Sequence, residues 1–297
     1  MRIVLTGATG FIGSHILTDL HEHGHEVVAL IRDDAQAGRV AEHGATPTRV
    51  DLTDPPAVVS LLRDADAAIH TASPGDATSA DLDSAVADAA IEAFDGTGKP
   101  YLQISGLWIY GNNMAISEES PIDAPALVAW REPIERRVLA AEGMRGVVIT
   151  SGVAYGDGGG GVPGVVLGSP RDDDGNLIML GSGQQHWDTV HVADLAEAFR
   201  RALEHDSVRG RYAVTDGQNP TVADLTEAAA VAVGAPGAVP GSDAEARARL
   251  GDYFAEVLLL DQNAPATKVR EELDWRPSRP SLVEEFRHGS YRQVTAG

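Results

Sequence analysis

The sequence predicts an α/β protein that combines a Rossmann-type, doubly wound parallel sheet with a smaller, mostly helical C-terminal substrate-binding portion. Three observations carry this prediction. Short β-branched runs alternate with helical patterns, a glycine-rich turn follows the first run, and glycine- and aspartate-rich loops interrupt the alternation after Gly156. Alternating strands and helices imply parallel strands joined by right-handed crossovers, with helices on both faces of the sheet.

Six strands are predicted in the first half of the chain, each an apolar run bounded by turn residues. They lie at 2–6, 26–31, 47–50, 67–71, 100–105 and 145–152, with helical patterns between them at 11–23, 35–43, 54–63, 79–94 and 132–142. A further helix is predicted to begin at Asp194, whose carboxylate suits an N-cap. The segments 219–233 and 241–297 are also predicted to be mostly helical.

This order of elements predicts two structural units. The first is a dinucleotide-binding domain at 1–155, to which the segment 188–215 returns. The second is the smaller substrate-binding portion, formed by 156–187 and 216–297. A crevice between such units, at the carboxyl ends of the strands, is where open α/β sheets bind their ligands.

Composition excludes several classes of function. The chain has 297 residues, no cysteine and a formal charge of −21, with Lys99 and Lys268 as its two lysines. Disulfides and thiolate sites are therefore excluded, and nucleic acid and anionic membranes are unfavourable partners. The N-terminus enters a strand without a signal-peptide pattern, and no apolar run is long enough to span a bilayer. We expect a cytoplasmic protein with a small-molecule substrate and no metal, and a homodimer is compatible with this.

The stretch TGATGFIGSH (6–15) lies between the first strand and the first helix and indicates a dinucleotide phosphate site. Gly7 permits a tight turn, Gly10 lets the backbone approach a pyrophosphate, and Gly13 permits close packing of strand on helix. The free N–H groups and the dipole at the helix N-terminus favour an anion there. The residues predicted to contact the dinucleotide in this stretch are Thr6, Gly7, Thr9, Gly10, Phe11, Ile12 and Gly13.

The end of the second predicted strand, ALIRDD, bears on the choice of cofactor. An acid at this place bonds the ribose 2′-hydroxyl of NAD, whereas an arginine accommodates the 2′-phosphate of NADP. Arg32 directly follows the strand and Arg39 lies in the next helical pattern, so the sequence favours NADP. Asp33 and Asp34 keep NAD as the alternative.

Together with further motifs along the chain, the TGxxGxxG form of this loop resembles the short-chain dehydrogenase/reductase superfamily, in its extended, NAD(P)-dependent epimerase/dehydratase-like branch. The segments that carry the resemblance are VDLTD (50–54), AIHTAS (68–73), SGLWIYG (105–111), WDTVHVADLA (187–196) and KVREELDWRP (268–277). The resemblance implies that Asp51 and Leu52 touch adenine. It also implies that Thr71, Ala72 and Ser73 lie beside the ribose and nicotinamide.

The chain departs from this superfamily at the catalytic positions. The superfamily uses a tyrosine as acid/base, a lysine four residues later and a serine or threonine that polarises the substrate carbonyl. No Tyr-x-x-x-Lys occurs anywhere in the sequence. Matching the motif by Glu135 places Leu127 and Arg131 at the tyrosine and lysine positions, and the serine position falls on Gly106. The chain therefore resembles atypical, epimerase-like members of the superfamily.

Four residues are candidates for the missing roles. Arg131 has the donors to hold the nicotinamide ribose but cannot give up a proton, and its alternative is an ion pair with Glu132 or Glu135. Ser105 ends a strand and suits carbonyl polarisation, although a satisfied strand-end hydroxyl is equally expected there. Tyr155 follows the strand at 145–152, and His186 has a side chain of the type that serves as an acid or base in enzymes. The residues predicted to be catalytic are thus Ser105, Tyr155, Arg131 and His186.

These residues predict an NADP(H)-dependent oxidoreductase that acts on a small, apolar or aromatic, carbonyl-type substrate without the usual triad. One alternative is a sugar-nucleotide epimerase or dehydratase, although those reactions begin with the oxidation of an alcohol and need a base. Another alternative is a non-catalytic NAD(P)-binding sensor. A redox-neutral lyase or cyclase that uses the inherited pocket is the last.

Overall fold

Seven parallel strands form the central sheet of the protein, for which a computed structural model describes residues 1–293. The strands of this sheet and of two smaller two-stranded sheets are, in chain order, β1 (Arg2–Thr6), β2 (Glu26–Ile31), β3 (Thr46–Arg49), β4 (Ala67–His70), β5 (Pro100–Gly106), β6 (Arg145–Ser151), β7 (Val153–Tyr155), β8 (Leu177–Ile178), β9 (Thr189–His191), β10 (Gly210–Val214) and β11 (Ala238–Val239). The central sheet has the order β10-β6-β5-β4-β1-β2-β3. This topology confirms the predicted Rossmann-type fold, and the chain changes direction between β1 and β4, where such sheets bind ligands.

Helices cover both faces of the sheet. In chain order they are α1 (Phe11–Glu22), α2 (Ala37–Glu42), α3 (Pro55–Arg63), α4 (Ser79–Phe94), α5 (Arg131–Ala140), α6 (Gly161–Leu167), α7 (Val192–Glu204), α8 (Val222–Ala232), α9 (Asp243–Leu250), α10 (Asp252–Leu258), α11 (Thr267–Glu272) and α12 (Leu282–His288). Helices α1 and α7 pack on one face, and α3, α4 and α5 pack on the other. Within residues 1–293, no helix combines the length and apolarity that crossing a membrane requires.

Side-chain alternation along the strands separates two apolar layers. In β1, Ile3 and Leu5 face the layer that contains Phe199 of α7, whereas Val4 faces the layer that contains Phe94 of α4. Successive side chains of a strand point to opposite faces, so a strand buried on both sides has a continuous apolar sequence. Each of these five side chains is at most 2% exposed, and burying one contributes roughly 1.5–3 kcal/mol.

A third apolar core forms the smaller portion of the molecule. The helices α6, α8, α9, α10 and α12 surround this core together with the short parallel pair of β8 and β11. Tyr155, Trp187 and Phe286 are among its largest buried side chains. Only Gly152 separates β6 from β7, and β7 pairs with β9. The chain therefore passes directly from the carboxyl end of the central sheet into this core.

The start of α7 differs from the prediction made for Asp194. His191 is the N-cap, because its side chain accepts a hydrogen bond from the Ala193 N–H at 3.2 Å. Asp194 lies inside the first turn, is 2% exposed and accepts hydrogen bonds from Ser278 Oγ at 3.0 Å and from the Arg279 N–H at 3.1 Å. The predicted cap at Asp194 is therefore wrong, since its carboxylate joins α7 to a distant segment.

A buried arginine holds the other end of α7. Arg145, the first residue of β6, is 4% exposed. Its guanidinium donates to the carbonyl oxygens of Ala202 at 2.8 Å, Leu203 at 2.5 Å and Val208 at 3.1 Å. The last carbonyl groups of a helix lack partners within the helix, so this cation satisfies them and joins α7 to the sheet.

Candidate active site

The glycine loop between β1 and α1 is shaped to take a ligand against its backbone. Gly7 has a φ of +74°, and a Cβ there would lie 2.6 Å from the Ala72 nitrogen. A Cβ on Gly13 would overlap the Gly7 carbonyl oxygen. Gly10 is the N-cap of α1 and provides no side-chain cap, so the N–H groups of the first turn keep their capacity for an anion. This close-packed cradle fits a dinucleotide pyrophosphate.

Two arginines lie beside the glycine loop. Arg39 donates to the Thr9 carbonyl oxygen at 3.2 Å, and Arg32 is exposed directly after β2. The two nearby acids already have partners. Asp33 accepts a hydrogen bond from the Ala35 N–H at 2.9 Å, and Asp34 pairs with an arginine of β3 at 3.1 Å. The local charge therefore favours an anionic group here.

The end of β4 and the segment after β3 border the same loop. Thr71 Oγ1 donates to the Thr6 carbonyl oxygen at 2.8 Å, and the Ala72 N–H donates to Thr6 Oγ1 at 3.3 Å. Asp51 accepts hydrogen bonds from the Thr53 N–H at 2.9 Å and Thr53 Oγ1 at 2.7 Å, which lower its pKa. Its neighbour Leu52 is half-buried and packs on the α3–α4 layer. Because the strands are parallel, the predicted cofactor residues that follow β1, β3 and β4 lie at one edge of the sheet, and the contacts with Thr6 join those after β4 to the glycine loop.

A cleft of about 530 Å³ begins at the glycine loop and extends to the smaller portion. One part of its wall comes from the loop and the end of β4, and another comes from the ends of β5 and β6. The third part is mainly apolar and comes from the segments beyond the sheet. The lining residues are Gly10, Phe11, Ile12, Gly13, Thr71, Ser73, Gly106, Leu107, Trp108, Ser151, Gly152, Val153, Ala154, Gly160, Gly161, Val162, Trp187, Asp188, Phe254 and Gln262.

The side chains of Trp108, Trp187 and Phe254 form the aromatic wall of the cleft. The rings of Trp108 and Phe254 meet edge to face, with centroids 6.3 Å apart. Trp187 is 4% exposed and donates its indole N–H to the Leu258 carbonyl oxygen at 3.1 Å. Aromatic rings held in this way present large rigid apolar surfaces. The cleft is therefore suited to an apolar or aromatic ligand body.

The glycine-rich segment 156–161 closes the cleft over Phe11. Gly159 lies against the Phe11 ring so closely that a Cβ there would overlap it. Tyr291 holds this segment from the C-terminal end of the chain, since its hydroxyl accepts from the Gly156 N–H at 2.8 Å and donates to the Gly159 carbonyl oxygen at 2.5 Å. His15 of α1 contacts Asp157 of the same segment at 2.9 Å.

Two of the predicted catalytic hydroxyls lie in the interior. Ser105 is 3% exposed and donates to Glu135 at 2.5 Å, and Glu135 pairs with Arg211 at 2.7 Å. Tyr155 is fully buried and donates to Asp216 at 2.9 Å and to the Pro280 carbonyl oxygen at 2.8 Å. Burial and the Asp216 carboxylate raise the pKa of Tyr155 far above its usual range. Neither residue is part of the cleft wall.

Arg131 occupies the first position of α5 and turns toward the sheet. Its guanidinium donates to the Ile104 carbonyl oxygen at 3.3 Å and lies 3.6 Å from the Asp83 carboxylate. Asp83 contacts His70 at 3.2 Å, and His70 contacts Thr6 Oγ1 at 2.7 Å. The alternative pairing of Arg131 with Glu132 or Glu135 is not formed, because those acids pair with Arg136 and Arg211. A polar chain therefore joins Arg131 to the glycine loop.

His186 lies beside the cleft rather than in its wall. Its ring contacts Asp261 at 2.9 Å, and its own N–H donates to the same carboxylate at 2.8 Å. The next residue, Trp187, is part of the wall. Adjacent side chains in extended backbone point in opposite directions, so the structure does not bring His186 together with the cofactor residues.

Asp188 and Gln262 are among the polar wall residues that the sequence did not predict. Asp188 is 4% exposed and accepts hydrogen bonds from Asn219 at 3.2 Å and from the Ala264 N–H at 2.8 Å. Burial raises the pKa of Asp188 to about 7. Gln262 is 5% exposed and donates to the carbonyl oxygens of Leu107 and Gly111. Asp188 lies within WDTVHVADLA, a segment that indicates the family resemblance but no role for this residue. No residue near Gln262 in the sequence indicates that it lies in the cleft wall.

Comparisons with known proteins agree with this arrangement. Residues 7–129 match the NAD(P)H-binding family model, and residues 131–214 match the model of the NAD dependent epimerase/dehydratase family. The mouse epimerase family protein SDR39U1 is 27% identical, over 88% of this chain and 90% of its own length. A Streptomyces protein named 3-diazoavenalumate denitrifying reductase is 27% identical, over 95% of this chain and 97% of its own. The structure of human epimerase family protein SDR39U1 with NADPH superposes with a TM-score of 0.73 at 23% identity, over 98% of this chain and 99% of that one.

Proposed function

We propose that this chain, which matches the NAD(P)H-binding family model over 7–129 and the NAD dependent epimerase/dehydratase family model over 131–214, is an NADP(H)-dependent oxidoreductase. Its substrate would be a small carbonyl-type compound with an apolar or aromatic body. One observation carries this proposal. A single cleft joins the glycine loop, through Gly10 and Phe11, to the aromatic wall of Trp108, Trp187 and Phe254. A cofactor on the loop and an apolar substrate on the wall would therefore share one cavity.

The cofactor would be held by the glycine loop and its neighbours. Gly7 and Gly13 give the close approach that a pyrophosphate needs, and the first turn of α1 supplies N–H donors. Arg32 and Arg39 favour the 2′-phosphate of NADP, because Asp33 is engaged by the Ala35 N–H. When bound, the nicotinamide supplies the hydride.

The chain itself would orient the substrate and manage one proton. Trp108, Trp187 and Phe254 exclude water from the far wall of the cleft, which strengthens every polar contact inside it. Asp188 is the titratable side chain of this wall, and its pKa of about 7 keeps a share of the carboxyl protonated at neutral pH. A group with a pKa near the working pH is well matched to proton transfer. We assign Asp188 the role of proton donor in place of the absent tyrosine.

A sugar-nucleotide epimerase or dehydratase fits the cleft less well. Those reactions begin by removing a proton from an alcohol, and Leu127 and Arg131 stand where the tyrosine and lysine are expected. The apolar wall also lacks the cations that a nucleotide sugar's diphosphate needs. The relative named as a denitrifying reductase supports reduction instead.

The experiment is a turnover assay with two matched sets of substrates. The purified protein is mixed with NADPH and a panel of aromatic aldehydes, ketones and imines, and in parallel with UDP- and dTDP-sugars. We expect NADPH oxidation with members of the aromatic panel and no change with the sugar nucleotides. A Gly13→Ala variant serves as the control without a cofactor cradle. NADPH binding without oxidation of any panel member would overturn the proposal in favour of a non-catalytic binder.

A further inference from the structure

Gln262 is a rigidly held residue of the cleft wall. It lies between α10 and α11, where its N–H donates to the His186 carbonyl oxygen at 3.2 Å. Its own carbonyl oxygen accepts a hydrogen bond from Asn219 Nδ2 at 2.8 Å. The side chain is 5% exposed, and that exposure belongs to the cleft. Backbone and side chain are therefore both fixed before any ligand arrives.

The orientation of the Gln262 amide follows from its partners. Nε2 donates to the Leu107 carbonyl oxygen at 2.8 Å and to the Gly111 carbonyl oxygen at 2.8 Å. An amide has two donors on nitrogen and only acceptors on oxygen, so the reversed amide would set its oxygen against two carbonyl oxygens. Both donors are thus used, and Oε1 occupies the other side of the group. Among residues 1–293, no donor to this oxygen is present within hydrogen-bond distance.

Three hydroxyl groups elsewhere in the cleft wall also donate their hydrogen bonds to protein atoms. Thr71 donates to the Thr6 carbonyl oxygen at 2.8 Å, Ser73 to a serine hydroxyl at 3.2 Å and Ser151 to the Ser105 carbonyl oxygen at 3.3 Å. Like Gln262 Oε1, the oxygens of these three hydroxyl groups therefore offer lone pairs to a ligand. A ligand that fills the cleft displaces water from these oxygens, and an acceptor that is then left unpaired costs free energy. A ligand that brings a donor avoids this cost.

We propose that Gln262 Oε1 is a substrate-recognition atom, which accepts a hydrogen bond from a hydroxyl or N–H group on an aromatic substrate. The substrate class is thereby narrowed from aromatic carbonyl compounds to those with a donor on the ring. Binding to the aromatic wall places the ring beside Gln262, since Leu107 lies next to Trp108 in the chain and bonds to the Gln262 amide. The inference rests on the proposed function for the location of the substrate, and not for the hydride transfer.

The test compares two ligands of the same size. 4-Hydroxybenzaldehyde carries the donor, and 4-methylbenzaldehyde replaces it with a methyl group. Binding of each is measured by calorimetry with saturating NADP⁺, for the wild type and for Gln262→Met, which keeps the length of the side chain. We expect the wild type to bind the hydroxyl ligand about five- to tenfold more tightly, as one neutral hydrogen bond predicts. Gln262→Met should lose that preference.

The control variant is Gln218→Met, which changes an exposed glutamine outside this cleft and should keep the wild-type preference. Equal binding of the two ligands by the wild type would overturn the inference, whether or not Gln262→Met folds. A preference that survives in a folded Gln262→Met would overturn it as well.

NADPH oxidation measured with the same two aldehydes separates this inference from the proposed function. A preference that depends on Gln262, without oxidation, supports the recognition atom and contradicts the oxidoreductase. Oxidation of both aldehydes with equal binding supports the oxidoreductase and contradicts the recognition atom.

Discussion

At the scale of single residues, the first prediction concerns the positive charge around the glycine loop. Arg32 and Arg39 stand beside the loop of a chain whose formal charge is −21, so their attraction for a 2′-phosphate is local. We expect Arg32→Ala to weaken NADPH binding about tenfold or more and to leave NADH binding nearly unchanged, because a charged hydrogen bond contributes roughly 1.5–3 kcal/mol. Titration of each cofactor measures this.

The control for Arg32 is Arg49→Ala. Arg49 is equally a surface arginine at a strand end, but it pairs with Asp34 at 3.1 Å. Its loss should change the affinities for NADPH and NADH alike and only slightly. Equal weakening of both cofactors by Arg32→Ala would contradict the assignment of a 2′-phosphate to this arginine.

The second prediction concerns Gly13. Its Cβ would overlap the Gly7 carbonyl oxygen, so Gly13→Ala must displace the loop from α1. We expect loss of NADP(H) binding and a fall in unfolding free energy of about 2–4 kcal/mol, within the range for overpacked sites. Denaturant unfolding and cofactor titration measure the two effects. Gly38→Ala is the matched control, because a Cβ there meets nothing within 4 Å and alanine suits the helix α2.

The residues that sequence could predict are those whose roles are local. Gly7 and Gly13 shape the turn between β1 and α1, and the glycine pattern of that turn predicts this role. The positions of Ser105 and Tyr155 depend on Glu135 and Asp216, which lie far away in the chain. The sequence indicates that a hydroxyl group follows a strand, but not whether a distant carboxylate accepts its hydrogen bond. Gln262 escaped prediction for the same reason.

At the scale of elements, the start of α5 makes the third prediction. Leu127 stands where the tyrosine is expected, yet α5 begins only at Arg131, and Leu127 lies in the preceding turn, 36% exposed. A tyrosine placed there would face solvent rather than the cleft. We expect the double variant Leu127→Tyr with Arg131→Lys to show no NADP⁺-dependent oxidation of aromatic alcohols beyond that of the wild type. A rate above that of the wild type would show that the turn does present residue 127 to the substrate.

The fourth prediction concerns the cap of α7. Arg145 donates to the carbonyl groups of Ala202, Leu203 and Val208 from a buried position. Arg145→Met removes the donors and leaves these oxygens unsatisfied, so we expect a loss of about 3 kcal/mol of unfolding free energy. Urea unfolding followed by circular dichroism measures it. Arg209→Met, which removes one bond from an exposed arginine at 3.2 Å, should cost under about 1 kcal/mol.

Elements with a strong local pattern were predictable, and short ones were not. The apolar runs of β1, β2, β5 and β6 gave their strands to within a residue or two. The strands β8 and β11 have two residues each and exist only because they pair across the chain. The cap of α7 was misplaced because Asp194 serves Ser278 and Arg279 instead of the helix end.

At the scale of the whole molecule, the fifth prediction concerns a half-buried carboxyl group. Burial raises the pKa of Asp216 from 3.8 to about 6, against the lowering effect of hydrogen bonds from Gln218, Thr189 and Tyr155. The folded protein therefore holds the proton more tightly than the unfolded chain does. Its contribution to stability is present below about pH 4 and is lost as the pH rises through about 6.

Asp216→Asn removes this titration. The unfolding free energy of the wild type minus that of the variant should fall between about pH 4 and pH 6 and stay constant above about pH 7. Tyr155 can still donate to the Pro280 carbonyl oxygen and accept from the new amide, so the variant should fold. A difference that rises with pH over this window would mean that Asp216 is ionised more easily in the folded protein than in the unfolded chain.

The bond from Tyr291 to the 156–161 segment has a consequence for biosynthesis. Phe11 is synthesised well before Tyr291, yet both contact the same glycine-rich segment. A nascent chain can form β1, α1 and the glycine loop early, since domains fold from the N-terminus during translation. The contacts between Tyr291 and the 156–161 segment, however, form only after Tyr291 has left the ribosome. The growing chain therefore has its glycine loop before Tyr291 fixes the segment that packs on Phe11.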